Sequence, residues 1–202
     1  MSIYALKPAF QRLLRPAVVT LQRAGVTANQ VTLATCAGSL AVGALLVATA
    51  PSTAAFALLP AWLFLRMALN AADGMLAREF GQASPLGAYL NELCDVVADT
   101  ALYLPFAWVP GSPPWLVVAL VLLAALTELA GVLGETVGGG RRYDGPMGKS
   151  DRAFVFGTLG LLLAAGVPLA GVLPWLWGVL GLLLAWTVVN RVRGGLRAAA
   201  RA

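Results

Sequence analysis

The sequence predicts an all-α integral membrane protein: six membrane-spanning helices preceded by an amphipathic helix at the membrane interface. Three observations carry this. Of the 202 residues, 59% are hydrophobic and only 11% charged, well below the about 25% charge of an ordinary water-soluble domain. Apolar runs near the roughly 20 residues needed to cross a bilayer recur along the chain. The turns between them alternate between uncharged and basic, as expected when cations stay on one side of a membrane. The excess of Lys+Arg 14 over Asp+Glu 9 therefore reads as membrane orientation and not as nucleic acid binding.

The elements follow in order. Residues 1–25 place Leu6, Phe10, Leu13, Leu14, Val18 and Leu21 at helical spacing between Lys7, Arg12, Arg15 and Arg23, the pattern of an amphipathic helix lying on an anionic surface. The segment Thr27-Ala28-Asn29 supplies cap residues for the first span. Six spans are then predicted, punctuated by Pro, Gly or Ser: Asn29 to Thr49, Thr53 to Phe80, Pro85 to Val109, Pro114 to Val137, Asp151 to Val167 and Val172 to Val192. The reading is one membrane domain over 1–202, with the interfacial helix at 1–25, the six-helix bundle at 29–192 and a basic cytoplasmic tail at 193–202. An even number of spans puts both termini and every loop cation on the cytoplasmic face of a multi-pass cell-membrane protein. Trp62, Trp108, Trp115, Trp175 and Trp177 fall toward the uncharged ends, where they would form an aromatic belt.

The chain has no histidine, which excludes a Ser-His-Asp triad, a His-ligated zinc site and an imidazole base. Cys36 and Cys94 form no CxxC and read as small apolar residues. Acid–base or metal chemistry must come from carboxylates, amides and cations.

Ionisable residues inside a span are costly, of order 2.5–3.5 kcal/mol each, and mark function by default. In the second span Arg66, Asn70, Asp73 and Ala77 share one helix face, flanked by Gly74 and Arg78. In the third, Gly87, Asn91, Asp95 and Asp99 recur every fourth residue, with Glu92 at the edge of that stripe. A tight turn brings these stripes face to face. Oxygen ligands without His or Cys suit Mg²⁺ or Mn²⁺, with Ca²⁺ also compatible, and carboxylates gathered in low dielectric call for a cation to join them. Gly74 and Gly87 permit close approach of a ligand, and Arg78 can grip a phosphate in a bidentate fork. The loop from Gly140 to Arg152 adds Arg141, Arg142, Lys149 and Arg152, the cationic rim a pyrophosphate needs. Arg66 and Asp99 lie at similar depth in adjacent helices and read as a structural ion pair, which Glu128 could join.

The run Asn70-Ala71-Ala72-Asp73-Gly74-Met75-Leu76-Ala77-Arg78, followed after eight residues by Gly87, Asn91 and Asp95, resembles the signature of the CDP-alcohol phosphotransferases, D-x2-D-G-x2-A-R-x8-9-G-x3-D-x3-D. Six of its eight positions match by identity; Asn70 and Asn91 stand where the first and third aspartates are expected. The span layout, the amino-terminal helix and the basic loop resemble that family too.

The resemblance implies an enzyme of phospholipid biosynthesis that transfers a substituted phosphate, such as phosphatidyl, from a CDP-alcohol such as CDP-diacylglycerol to an acceptor hydroxyl and releases CMP. By the same resemblance Asp73, Asn70, Asn91 and Asp95 hold one or two Mg²⁺ or Mn²⁺ ions, with Glu92 as an additional candidate, and Asp95 acts as general base. Asn29, Thr32, Asp73, Gly74, Ala77, Arg78 and Gly87 line the CDP site. Lys149, Arg152 and Arg141 are expected near the acceptor's or donor's phosphate, and a homodimer is expected. An asparagine carbonyl ligates a hard cation without bringing charge, so an impaired CDP-lipid-binding homologue is the first competing reading. An ion-coupled transporter using Asp73, Asp95, Asp99 and Arg66 as a relay is the second.

Overall fold

The computed structural model describes residues 7–201, so Leu6 and the rest of segment 1–6 lie outside the described residues. Seven α-helices run α1 (Lys7–Arg23), α2 (Ala28–Ala48), α3 (Leu58–Glu79), α4 (Pro85–Tyr103), α5 (Pro114–Thr136), α6 (Lys149–Ala164) and α7 (Leu173–Ala199), with short 3-10 turns at Ala54–Ala57 and Leu104–Trp108. Among the described residues four stretches are long and apolar enough to cross a membrane, Ala28–Ala48, Ala54–Glu79, Pro114–Thr136 and Leu173–Ala199. The chain is a multi-pass membrane protein. α4 carries Glu92, Asp95 and Asp99 in its 19 residues and α6 has only 16, which keeps both short of those criteria although they pack in the same bundle.

Thr27 caps α2: its hydroxyl accepts from the Gln30 N–H while the Gln30 side chain accepts from the Thr27 N–H, a reciprocal capping box. Ser84 caps α4 by accepting from the Gly87 N–H, with Pro85 opening the helix. α1 lies against α3. Phe10 meets Phe64 edge-on at 6.1 Å, and Val18 is buried with Val31, Ala72, Met75 and Leu76. Part of its apolar stripe thus covers protein, while Leu13 stays exposed.

α2 and α4 run parallel and nearly touch. A Cβ on Gly43 would collide with the Ala101 carbonyl oxygen, and one on Gly87 would sit 2.9 Å from Asn29 Oδ1. Both contacts keep the same offset of 58 residues, so one heptad register governs the seam. Cys36 and Cys94 share that offset and interact across the seam.

At the uncharged end the core is aromatic: Tyr103 stacks on Phe156 at 3.9 Å, and Phe106 packs edge-on against Phe56 and Trp177. Two expectations change here. Trp177 is fully buried and donates to Ser112 Oγ at 3.0 Å, because its indole packs against Phe106 of the 3-10 turn and Phe156 of α6; it belongs to the core, whereas Trp108, Trp115 and Trp175 remain exposed. The segment after residue 192 is no separate tail. α7 continues to Ala199, since Gly195 is buried beside Gly139 and Arg142 and gives the helix a surface to follow.

Candidate active site

The signature residues converge at the end of the bundle that carries the loop cations. Asp73 sits in the last two turns of α3, 4% exposed, and its Oδ2 accepts from the Thr32 hydroxyl at 2.8 Å. Asp95, two and a half turns into α4, receives three side-chain donors on one oxygen, Oδ1: Asn70 Nδ2 at 3.2 Å, Arg66 Nη2 at 3.4 Å and the Lys149 ammonium. Asp73 lies within electrostatic reach of both Asp95 and Lys149. The i, i+3 and i, i+4 spacings place these groups on facing helix surfaces, and the capping box and the Ser84 cap fix where α2 and α4 begin.

The two glycines have distinct tasks. At Gly74 an added Cβ would meet Arg78 Nη2 at 2.7 Å, so the bare backbone is what lets the Arg78 guanidinium fold over its own helix. At Gly87 a Cβ would press on Asn29 Oδ1. Asn29 and Thr32 of α2 therefore border the same recess as Gly87 and Asp73, and the cap itself is Thr27.

Asn70 presents its NH₂ group to Asp95, and Asn91 donates to Glu92 Oε1 at 3.2 Å. Glu92 also binds Arg141, which draws it toward the basic loop and away from Asp95. Tested against a hard cation, the donor set fits in chemistry: two carboxylates and two amides, all oxygen-bearing, with the Lys149 ammonium standing at Asp95 where positive charge is wanted. Among the described residues no group of three or more His, Cys, Asp or Glu assembles into a metal-holding cluster.

Beneath this recess lies a second polar layer. Arg66 pairs with Asp99, and Arg152 donates to Asp99 Oδ2 at 2.8 Å and Glu128 Oε1 at 2.8 Å. Its remaining N–H groups reach Thr127 Oγ1 and the Met147 carbonyl, both at 3.1 Å, and Asp99 again through Nε. All five guanidinium donors are used, and the residue is 0% exposed. Arg152, expected near a substrate phosphate, is thus placed one helical turn below Lys149 as the hub of an internal network. Arg191 binds the Thr127 carbonyl and lies 3.4 Å from Glu128. Its place here was not predicted; the signal was an arginine spaced seven from Leu184 on the buried stripe of α7.

The loop 137–148 bends back on the bundle. Gly138 and Gly140 take positive φ of 78° and 67°, and the Arg142 N–H donates to the Gly131 carbonyl at 3.0 Å. This brings Arg141 over the Tyr143 ring and onto Glu92 and Glu128. Arg142 pairs with Asp144 through two hydrogen bonds, and the paired guanidinium holds the Asp144 carboxyl below its ordinary range.

Comparison with known proteins agrees with this fold. The family described as CDP-alcohol phosphatidyltransferase matches residues 25–189. The chain is 49% identical to Inner membrane protein YnbA of Escherichia coli over 196 residues, covering 97% of each. Its fold matches the phosphatidylinositol phosphate synthase of Mycobacterium tuberculosis in complex with manganese and citrate, with TM-score 0.70 and 20% identity, over 90% of this chain and 88% of that one. The same synthase with CDP-DAG bound gives TM-score 0.67 at 20% identity, over 93% and 94%. The protein belongs to the CDP-alcohol phosphatidyltransferase family.

Proposed function

We propose that the chain transfers a substituted phosphate, phosphatidyl in particular, from a CDP-alcohol such as CDP-diacylglycerol to an acceptor hydroxyl, releasing CMP. The observation that carries this is the convergence of Asp73, Asn70 and Asp95 with Gly74, Arg78 and Gly87 in one recess, in a chain of this family. The relative's complex with CDP-DAG supports the donor.

Asp95 is the general base: its carboxylate is the acidic group best placed to take the acceptor's proton. Arg78, freed by Gly74 to lie along α3, grips a donor phosphate, and Asn29, Thr32, Ala77 and Gly87 shape the nucleotide's place. Lys149 in this reading moves from Asp95 to the transferred phosphate when the donor arrives.

Asp73 and Asp95, with the amide oxygens of Asn70 and Asn91, would hold a divalent cation; the relative's manganese complex supports this. When bound, that ion would neutralise charge on the pyrophosphate and leaving group. Two carboxylates suit a single Mg²⁺ or Mn²⁺ ion.

The six-span layout, the loop cations at the cytoplasmic face and a homodimer belong to the same proposal. The first two are supported by the gathering of Arg78, Arg141, Arg142 and Lys149 at one end, the homodimer by the family likeness alone. The test is purified protein with CDP-diacylglycerol, a panel of alcohols and Mg²⁺ or Mn²⁺, scored by CMP and new lipid. Failure to release CMP from any CDP-alcohol refutes the proposal. A second reading, a CDP-lipid-binding homologue without turnover, is favoured by Asn70 facing Asp95 with its NH₂ group; metal-dependent CDP binding without CMP release would establish it.

A further inference from the structure

Apart from Arg78, the cations around the candidate site are engaged by the chain's own carboxylates. Arg141 is held by Glu92 and Glu128, Arg191 by Glu128, Arg152 by Asp99 and Glu128, Arg66 by Asp99 and Asp95, and Lys149 by Asp95. Asp73 completes the set within reach of Lys149. Arg66, Arg141, Lys149, Arg152 and Arg191 face Asp73, Glu92, Asp95, Asp99 and Glu128, so these ten groups balance and Arg78 is the cation of the recess left over.

Three of these acids, Glu92, Asp99 and Glu128, stand outside the signature, and Asp99 closes the ion pair with Arg66. Glu92 and Glu128 touch no signature group except Asn91, and what they do is neutralise Arg141 beside the recess and Arg152 and Arg191 beneath it. Glu128 is 8% exposed and lies between Arg141, Arg152 and Arg191. A phosphomonoester brings roughly −1.5 to −2 charges and several acceptor oxygens at neutral pH. To bind here it would have to take guanidinium groups from Glu92 and Glu128, leaving a buried carboxylate without its partners and beside the new anion. An uncharged alcohol asks only for a base and hydrogen-bonding neighbours, which Asp95, Asn70 and Asn91 supply.

We propose that the acceptor is an uncharged alcohol, not a phosphomonoester, and that Glu92 and Glu128 set this preference by holding Arg141, Arg152 and Arg191. This rests on the transferase reading of the same site. In the step itself the acceptor oxygen bonds to the phosphorus carrying the alcohol group of the donor. The bond from that phosphorus to the bridging oxygen breaks, CMP leaves with the electron pair, and the hydroxyl proton passes to Asp95.

The experiment compares matched acceptors on the full-length protein with CDP-diacylglycerol: glycerol against glycerol 3-phosphate, and inositol against inositol 1-phosphate, scored by CMP release. The uncharged member of each pair is expected to react faster by about tenfold or more; a faster phosphorylated member overturns the proposal. A second measurement needs no turnover. Thermal stability in detergent is titrated with millimolar glycerol 3-phosphate while CDP fills the donor's phosphate positions.

The natural protein is expected to show no saturable shift, and Glu128→Gln and Glu92→Gln to acquire one. Glu92 is partly exposed, so Glu92→Gln keeps the test valid if Glu128→Gln fails to fold. A saturable shift in the natural protein that neither variant changes overturns the proposal. If no alcohol releases CMP, the transferase reading falls, while the melting curves still decide whether the site accepts a phosphomonoester.

Discussion

The chain buries charge in two layers. In the upper one, Asp73, Asn70 and Asp95 sit at the rim of the bundle with polar partners on one side only, Thr32 for Asp73 and a shared Oδ1 for Asp95. In the lower one, Asp99, Arg152 and Glu128 satisfy one another from several directions, and among the described residues only the Nε groups of Arg66 and Arg191 and the Tyr103 hydroxyl beside them are left over. Both layers are built of residues that hydropathy alone would condemn in a membrane helix. The difference is completeness. A network whose donors and acceptors close on themselves joins helices, whereas carboxylates whose partners come from one side retain capacity for a cation, a proton or a substrate.

The contrast breaks most sharply by substitution in each layer. Asp95→Ala is expected to lower CMP release by about 10²–10⁴-fold, the usual weight of a general base, while the melting temperature in detergent stays near that of the natural protein. A variant that melts early would move Asp95 to the lower layer. Asp99→Ala is expected to do the reverse, destabilising by about 3–5 kcal/mol because Arg66 and Arg152 lose a common partner in a buried site, seen as early melting and loss of folded protein during purification.

Gly74→Ala sharpens the upper layer. The new methyl group would displace the Arg78 guanidinium, so KM for the donor is expected to rise by roughly tenfold, about 1.4 kcal/mol, with kcat changed less; equal loss in both would place Arg78 in the reaction and not in binding. A smaller effect probes the α2 and α4 seam. Mild two-electron oxidation with diamide is expected to link Cys36 to Cys94 within one chain, read as protection from maleimide labelling and a 2 Da mass loss, as two cysteines in register on nearly touching helices allow. Recovery of only intermolecular dimers would contradict the common register.

The smallest effect belongs to the loop. Asp144 has its folded-state proton affinity lowered by the hydrogen bond from Arg142. Its contribution is therefore present above the ordinary carboxylate range and is lost as pH falls through the lower, folded value. Melting of the natural protein and of Asp144→Asn is expected to differ at neutral pH and to converge in strong acid.

Much of the site was legible as spacing. The face holding Asn70, Asp73 and Ala77 and the stripe holding Gly87, Asn91 and Asp95 follow from the helical period, and the matched end of the bundle follows from the short turn between α3 and α4. What spacing could not give was partner choice. Lys149 and Arg152 lie three apart on one helix face and read alike, yet one reaches Asp95 at the rim and the other is sealed beneath it. Trp177 and Trp175 are two residues apart, and only one is core.

By itself the sequence determined that this is a helical membrane protein, which of its ends is basic, and which residues form a phosphotransferase-like signature, because hydropathy, charge and periodicity are properties of single segments. The tertiary structure decided which buried charges close on themselves and which stay half-satisfied. That outcome depends on α5 and the loop 137–148 arriving beside α4 and on α7 arriving beside α5, contacts between residues as far apart as Glu92 and Arg141 or Thr127 and Arg191, which no local pattern encodes.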